Sequence, residues 1–334
     1  MASTENVWLI TGTTSGFGRR LVASLLRRGE LVIATARSEE RLNELLTDYD
    51  NHPNLRIVQL DVTWEARTIK TKIDEALLFW GRIDVVVNNA GVGFKSLIEE
   101  ADSEEFKKQF QTNFFGAIDV TNAVLPDMRT RRSGVVVNIG SRSSWKSEIP
   151  ATGLYASSKA ALRVYSETLS AEVSQFNIRV LIVEPGAFRT EGILSLPYHT
   201  DHPISDYDAT REKAIEIFKA TVGTQRGNPD KAMELLIDVV RCEGKAAGRP
   251  WPFYLPLGVD AEEAIVNKCR KMIETVEAWK NETSVLDLDT SQGAIKWSAS
   301  SETMAPAPTS TVLTLHPDLL TNATNGSKSP FDDG

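Results

Sequence analysis

The chain has few of the residues that build disulfide frameworks or metal sites. It contains two cysteines and four histidines among 334 residues. Two cysteines allow at most one disulfide, which excludes a fold held together by several bridges. The histidines are scattered, and His199 and His202 occur in a polar stretch without a cysteine cluster. We therefore expect no metal site.

Long hydrophobic runs and an excess of positive charge are also missing. No stretch approaches the roughly 18 apolar residues of a membrane-spanning helix, and no signal peptide precedes the first apolar segment. The net charge of −8 argues against a protein that binds nucleic acid. We expect a cytoplasmic protein that has no membrane span and no nucleic-acid partner.

The sequence does contain a regular alternation of short apolar segments and amphipathic segments. Seven apolar segments read as strands, at residues 7–10, 31–36, 55–60, 83–88, 135–139, 178–183 and 253–257. Strands rich in Val, Ile and Leu that alternate with helices are typical of a parallel sheet covered on both faces. The pattern predicts an α/β fold with a doubly wound parallel sheet, in a single domain of residues 1–283.

Two regions depart from this alternation. Residues 188–227 hold a polar loop and then an amphipathic helix, and we interpret them as a substrate loop. Residues 284–334 are rich in Ser, Thr, Pro, Asn and Gly and have few large apolar side chains. Such a composition cannot bury enough apolar surface to offset the entropy of ordering. We predict a low-complexity, disordered tail there.

A glycine-rich turn follows the first predicted strand. Residues 11–18 read TGTTSGFG, and helical spacing of apolar residues begins directly after them. Glycines let the backbone approach a pyrophosphate, and the free amides at a helix start bind its charge. The spacing differs from the common dinucleotide fingerprint, but a strand, a glycine turn and a helix in that order predict nucleotide binding.

Tyr155 and Lys159 are spaced for one face of a helix. They are four residues apart, so their side chains lie one turn from each other. A nearby ammonium group favours the phenolate and is expected to lower the pKa of the tyrosine. Such a tyrosine can exchange a proton with an alcohol or ketone oxygen.

Seven motifs in one order give the chain its resemblance to a known family. They are TGxxxGxG at residues 11–18, Asp61-Val62, NNAG at residues 88–91, Asn113, NIGS at residues 138–141, Tyr155 with Lys159, and PGxxxT at residues 185–190. In this order they resemble the short-chain dehydrogenase/reductase family, in its single-domain subgroup with a Rossmann fold. The similarity runs from about residue 7 to 282.

The resemblance implies a role for each motif. Tyr155 would be the general acid or base, Lys159 would hold the nicotinamide ribose, Ser141 would hold the substrate oxygen, and Asn113 would hold a water that relays protons. The implied cofactor-binding residues are Gly12, Thr13, Ser15, Gly16, Phe17, Gly18, Arg37, Asp61, Val62, Asn88, Ala90, Gly91, Asn113, Tyr155, Lys159, Pro185, Gly186, Phe188 and Thr190.

One position departs from the family pattern. The family's serine usually precedes the tyrosine by thirteen residues, and Arg142 stands there, so Ser141 is one residue too early. An additional residue in the following loop explains the offset, because NIGS still matches a strand end. Ser143 and Ser144 remain competing candidates for the substrate-binding serine.

The end of the second predicted strand bears on the choice of cofactor. NAD enzymes usually place an acidic residue there for the ribose 2′-hydroxyl. Residues 34–38 read ATARS and contain no Asp or Glu. Arg37 stands where a guanidinium would pair with a 2′-phosphate, which favours NADP(H) over NAD(H).

The sequence says least about the substrate and the partners. Phe94, Trp145 and Leu194 are candidate lining residues beside Ser141, and an apolar wall favours a lipophilic carbonyl or secondary alcohol. We predict an NADP(H)-dependent oxidoreductase. A non-catalytic, redox-sensing nucleotide-binding regulator and an epimerase or dehydratase are the alternatives. The resemblance also implies a homodimer or tetramer.

Overall fold

The computed structural model describes residues 5–191, 197–199 and 201–286. Its strands are β1 Val7–Thr11, β2 Leu31–Ala36, β3 Leu55–Gln59, β4 Val85–Asn88, β5 Gly134–Ile139, β6 Ile178–Pro185 and β7 Tyr254–Leu257. Its helices are α1 Gly16–Arg27, α2 Glu39–Asp48, α3 Ala66–Trp80, α4 Ser103–Phe110, α5 Gly116–Arg131, α6 Gly153–Val173, α7 Asp208–Thr221, α8 Pro229–Arg241 and α9 Val259–Thr283. The strands fall close to the predicted segments.

The strands form one sheet in the order β3-β2-β1-β4-β5-β6-β7. All six pairings are parallel, as the alternation of strands and helices predicts. The chain leaves β1 toward one edge of the sheet and returns beside it as β4, so the order of strands reverses between these two. Ligands of doubly wound sheets bind at the carboxyl ends of the strands at such a switch point.

Both faces of the sheet are buried. Along β1 the side chains alternate, so Trp8 and Ile10 belong to one hydrophobic cluster with α1 and α8. Val7 and Leu9 belong to a second cluster on the other face, with α3 and α5. A central strand that is apolar on both sides holds its carboxyl end rigidly, and the glycine turn starts there.

Residues 103–131 form a helical run that is interrupted once. Gln111–Phe115 form one turn of π-helix between α4 and α5. Pro126 is tolerated inside α5, ten residues after that helix begins at Gly116. Single π-turns inside helices are frequent at functional sites, because they redirect one side chain without ending the helix. Here the redirected segment contains Asn113.

The chain divides into a compact unit, Met1–Glu277, and a remainder, Ala278–Gly334. The structure describes the remainder only to Leu286, where it continues α9 to Thr283. The predicted tail therefore lies almost wholly outside the described residues, and so does Leu194. Within the described ranges, no helix combines the length and apolar character needed to cross a membrane.

Candidate active site

Tyr155 and Lys159 occupy the first two turns of α6. Lys159 is almost fully buried, and its Nζ donates a hydrogen bond to the backbone oxygen of Ile139 at 2.7 Å. The same Nζ lies 5.8 Å from the centre of the Tyr155 ring. Because Ile139 ends β5, this bond ties α6 to the sheet where the predicted chemistry takes place.

Ser141 follows β5 and lies next to the phenol of Tyr155. Its hydroxyl accepts a hydrogen bond from the backbone N–H of Ser143 at 3.1 Å. A hydrogen bond between the Ser141 side chain and Tyr155 lowers the pKa of the phenol. Ser144, a competing candidate, instead donates from Oγ to the backbone oxygen of Ser141 at 2.9 Å. Of the three serines, Ser141 is the one that interacts with Tyr155.

The pKa of Tyr155 moves in the direction opposite to the expected one. Burial raises it to about 12, the negative charge of Glu184 adds to that effect, and Ser141 opposes it. Burial also lowers the pKa of Lys159 to about 8. The expectation was wrong because both groups lose water together, and the ammonium group bonds to Ile139 rather than to the phenol. At neutral pH Tyr155 therefore carries its proton and is suited to donate it.

Asn113 lies in the π-turn and is fully buried. Its Oδ1 accepts from the backbone N–H of Val92 at 2.8 Å, and its Nδ2 donates to the backbone oxygen of Val92 at 2.9 Å. Nδ2 also lies 3.1 Å from Oγ of Ser158, on the helix that carries the catalytic pair. Asn113 thus links α6 to the loop after β4, and its part in a proton relay stays a prediction.

A cleft of about 460 Å³ opens at the carboxyl ends of the strands. The predicted residues that line it are Gly12, Ser15, Gly16, Phe17, Arg37, Asp61, Val62, Ala90, Gly91, Phe94, Ser141, Tyr155, Lys159, Pro185, Gly186, Phe188 and Thr190. Residues from every motif of the resemblance except Asn113 therefore meet in one cavity. That cavity lies at the switch point of the sheet, where the fold places its ligand sites.

Two glycines of the turn, Gly12 and Gly18, have no room for a side chain. A Cβ on Gly12, which has φ of +71°, would lie 2.9 Å from Cα of Ala90. A Cβ on Gly18 would lie 2.3 Å from the backbone oxygen of Gly12. Asn89 holds the turn from the other side, because its Nδ2 donates to the backbone oxygens of Thr11 and Gly12 at 2.8 and 2.9 Å. This close approach of backbone to backbone fits the cradle of a dinucleotide pyrophosphate.

A carboxylate already contacts the start of α1. Oε2 of Glu191 accepts from the backbone N–H of Gly16 at 3.0 Å, and the Arg20 guanidinium pairs with the same carboxylate at 2.7 Å. Arg20 holds the pKa of Glu191 down at about 2. The amide at this helix terminus is thus shown to bind an anionic oxygen, as a phosphate cradle requires.

Two guanidinium groups line the end of the cleft beside β2. Arg37 is the predicted one, and Arg41 is four residues later, on α2. Nη2 of Arg41 donates to the backbone oxygen of Thr14 in the glycine turn at 3.3 Å. Sequence reasoning missed Arg41, although its place one helical turn after the strand end was a usable signal. Two cations and no carboxylate from β2 fit a 2′-phosphate.

Among the residues that the structure describes, five predicted site residues do not line the cleft. Thr13 and Asn88 are buried: Thr13 donates to the backbone oxygen of Thr35 on β2, and Asn88 donates to Thr121 on α5 and to Asn138 on β5. Gly18 packs against the backbone of Gly12, and Asn113 links the loop after β4 to α6. The fifth, Trp145, stacks against Arg163, whose guanidinium carbon is 4.5 Å from a ring centre of the indole, and against Tyr254.

The wall opposite the catalytic pair comes from residues that carry no motif. Ile217, Phe218 and Thr221 reach the cleft from α7, and Lys95 and Gln225 reach it from loops. Phe218 packs with a small buried cluster that includes Leu97 and Ala151. Four of them fall within residues 188–227, the region that the sequence predicts to be a substrate loop, but no pattern there marked the individual positions, and none marked Lys95.

Comparison with known proteins identifies the family. A family model described as short chain dehydrogenase matches residues 6–196. A short-chain dehydrogenase from Streptomyces avermitilis is 32% identical, with a TM-score of 0.73 over 86% of this chain and 100% of that one. A 3-ketodihydrosphingosine reductase from Bacteroides thetaiotaomicron is 38% identical over 182 residues, and this stretch spans 54% of this chain and 64% of that protein.

Similar solved structures contain both nicotinamide cofactors. A serine dehydrogenase complexed with NADP⁺ is 29% identical, with a TM-score of 0.59 over 75% of this chain and 94% of that one. A family member from Burkholderia phymatum in complex with NAD has a TM-score of 0.69 at 22% identity and covers 85% of this chain and 98% of that one. The chain belongs to the short-chain dehydrogenase family and is an NAD(P)-dependent dehydrogenase or reductase.

Proposed function

We propose that this enzyme uses NADPH to reduce the carbonyl group of a lipophilic small molecule, with Tyr155 as the proton donor. The observation that carries the proposal is the state of Tyr155 beside Ser141. Burial raises the pKa of the phenol to about 12, so it is protonated at any physiological pH. A protonated phenol donates to the oxygen of a ketone as that oxygen becomes an alcohol.

Three side chains, those of Ser141, Tyr155 and Lys159, would act at or near the substrate oxygen. Ser141 Oγ accepts from the N–H of Ser143 and shares a hydrogen bond with the phenol of Tyr155, so a substrate oxygen bound beside them would take hydrogen bonds from both hydroxyls. Tyr155 then transfers its proton to that oxygen. Lys159 keeps a positive charge near the phenol below a pH of about 8 and stabilises the phenolate that is left.

The cofactor would lie along the cleft from Arg37 and Arg41 to Tyr155. The glycine turn would hold its pyrophosphate, and Thr190 stands where the nicotinamide end would be. A bound nicotinamide supplies the electron pair and the hydrogen that reduce the carbonyl carbon. We propose NADPH rather than NADH because Arg37 and Arg41 both line the cleft beside β2.

The proposed substrate class follows from the wall that faces the catalytic pair. Ile149, Ala151, Ile217 and Phe218 give the cleft an apolar side, which suits an aliphatic or aromatic ketone. The reductase relative named for a ketosphingoid substrate points the same way. Lys95 adds one cationic group to this side of the cleft. We expect the enzyme to be cytosolic and to use NADPH there.

Replacing Tyr155 by Phe tests the proposal. We expect the Tyr155→Phe variant to lose at least about a hundredfold in kcat with a panel of lipophilic ketones, since only the proton donor is removed. NADPH affinity, measured by fluorescence titration, should stay within about threefold. The measurement is NADPH absorbance against time for each ketone.

Tyr165→Phe is the matched control. Tyr165 lies on the same helix, burial likewise raises its pKa to about 12, and its hydroxyl has no hydrogen bond of good geometry. That variant should turn over ketones at nearly the wild-type rate. If the wild-type protein binds NADPH and reduces no ketone, the redox-sensing regulator is the better description. Equal loss in both variants would show that Tyr155 acts only through packing.

A further inference from the structure

A buried carboxylate lies directly beneath the active site. Glu184 stands next to the end of β6, and its side chain is fully buried. Its Oε2 accepts the backbone N–H of Ser141 at 2.6 Å. The carboxylate also packs against Gly140, where an added Cβ would lie 2.7 Å from the same oxygen. Nothing in the reaction derived above uses this carboxylate.

Isolated buried charges are costly, so a fully buried carboxylate next to catalytic groups needs a reason. Oε1 of Glu184 and Nε1 of Trp145 both lack a hydrogen bond of good geometry, although the indole faces the carboxylate and lowers its pKa. Lys159 and Arg163, both on α6, also lower that pKa by their charges. Burial outweighs these partners and raises the pKa of Glu184 to about 7.

The carboxylate acts on both members of the catalytic pair. Its negative charge raises the pKa of Tyr155 and the pKa of Lys159. It therefore favours the protonated phenol and the charged ammonium group at once. Its hydrogen bond to Ser141 also fixes the residue whose hydroxyl faces the phenol.

We propose that Glu184 is a positioning residue of the reduction: its carboxylate holds Ser141 by the backbone amide and places a negative charge beside the Tyr155–Lys159 pair. This inference rests on the proposed function, because it assigns Glu184 a part in the same proton transfer. Trp145 and Arg163 also interact with the Glu184 carboxylate. The guanidinium of Arg163 lies over the Trp145 indole, and both groups act on the carboxylate, the indole through its N–H and the guanidinium through its charge.

Two substitutions separate the two roles. Glu184→Gln keeps an oxygen that accepts the Ser141 N–H and removes the charge. Without that charge Tyr155 and Lys159 lose their protons more readily, so the alkaline limb of kcat against pH should move down by roughly one pH unit. Glu184→Ala removes the acceptor as well, and kcat should fall about tenfold or more as Ser141 shifts. The Kd for NADPH should change less than about threefold in both.

Glu30→Gln is the matched control. Glu30 is also a buried carboxylate that accepts a backbone N–H, from Asn6 at 2.8 Å, and an indole N–H, from Trp8 at 3.0 Å. Burial raises its pKa as well. Since its partners start β1, it lies at the opposite end of the sheet from the cleft. Its replacement should lower thermal stability without moving the pH profile of kcat.

The measurements are kcat and KM for one reducible ketone from pH 5 to 10, with circular dichroism to confirm folding. An unchanged pH profile in Glu184→Gln, or wild-type kcat in a folded Glu184→Ala, overturns the proposal while leaving Tyr155 as the proton donor. If Glu184→Ala does not fold, Glu184→Gln alone decides. Failure of the wild type to reduce any ketone would instead refute the proposed function itself.

Discussion

Lys159 and Tyr155 lie one helical turn apart, yet their pKa values do not respond mainly to each other. Burial raises that of the phenol and lowers that of the ammonium group. Desolvation opposes whichever form is charged, so it moves an acid and a base in opposite directions. At the scale of single residues, lost water decides the protonation of this site first; Ser141 and then Glu184 follow for the pKa of Tyr155, and Glu184 follows for the pKa of Lys159.

The cofactor preference is also decided by single residues. If Arg37 and Arg41 pair with a 2′-phosphate, Arg37→Ala should weaken NADPH binding by roughly ten- to a hundredfold and hardly affect NADH. Arg41→Ala should weaken NADPH binding in the same direction. The preference should shrink as salt is added, because an exposed ion pair is screened. Fluorescence titrations with both cofactors at low and high salt measure this.

Arg67→Ala is the control for these titrations, since Arg67 is exposed on α3 and lies outside the cleft lining. It should leave both affinities unchanged. Equal losses for NADPH and NADH in Arg37→Ala, or tighter binding of NADH by the wild type, would contradict the assignment of NADP(H).

At the scale of elements, the cleft depends on how α7 is held. Arg211 on α7 makes a two-pronged contact with Glu100, which is almost fully buried in the segment before α4. Glu100 also accepts the backbone N–H of Ile204 at 3.0 Å, and Arg211 donates to the oxygen of Ile204 at 2.8 Å. One ion pair thus fixes the helix that carries Ile217 and Phe218 into the cleft. Breaking one partner of a buried pair leaves the other charge uncompensated.

We expect Arg211→Met to loosen α7 and raise KM for the ketone while the sheet stays folded. Limited proteolysis in the 201–227 region should become at least about tenfold faster, because the open state is more populated. Lys107→Met is the control. Its pair with Glu104 is exposed on α4, and exposed pairs contribute little. Unchanged proteolysis in Arg211→Met would mean that apolar packing alone holds α7.

The same ion pair predicts a dependence on pH. Arg211 holds the pKa of Glu100 below its ordinary value. A carboxyl group with a depressed pKa in the folded state stabilises that state above its unfolded pKa, and the contribution is lost as pH falls through the folded value. Proteolysis of α7 in the wild type should therefore accelerate below the ordinary carboxyl range. Arg211→Met should show less of this acceleration, and an equal acceleration would exclude Glu100 as its cause.

At the scale of the whole molecule, the elements from β1 to α9 form the sheet and the helices that cover both of its faces. Both faces of β1 are buried by helices within the compact unit Met1–Glu277. The sequence after Leu286 has no periodic apolar face that would add to this core. We propose that the tail is dispensable for folding.

Truncation after Leu286 tests this. The melting temperature should stay within about 5 °C of that of the full chain, and kcat for a ketone should be unchanged. A control truncation after Thr221 removes α8, whose Leu236 and Ile237 are fully buried, and should not fold. A larger loss of melting temperature in the first truncation would show that part of residues 287–334 packs on the protein.

The amino-acid sequence by itself determined the parallel sheet, the glycine turn and the spacing of Tyr155 and Lys159. These features are local, because a period of apolar residues or a spacing of four is written in neighbouring positions. The boundaries of β2 and the existence of every strand follow from such patterns. Local patterns do not predict which residues far apart in the sequence meet in the fold.

Only the tertiary structure decided the protonation of Tyr155, the part of Arg41, the π-turn at Asn113 between α4 and α5, and the place of Glu184 beside Ser141. Glu184 and Ser141 are 43 residues apart, and α7 reaches the site from more than 50 residues beyond Tyr155. Desolvation depends on everything that packs around a group, so no spacing encodes it. The Glu184 carboxylate can affect catalysis only because β5, β6 and α6 meet at the carboxyl ends of the strands and bring it next to Ser141.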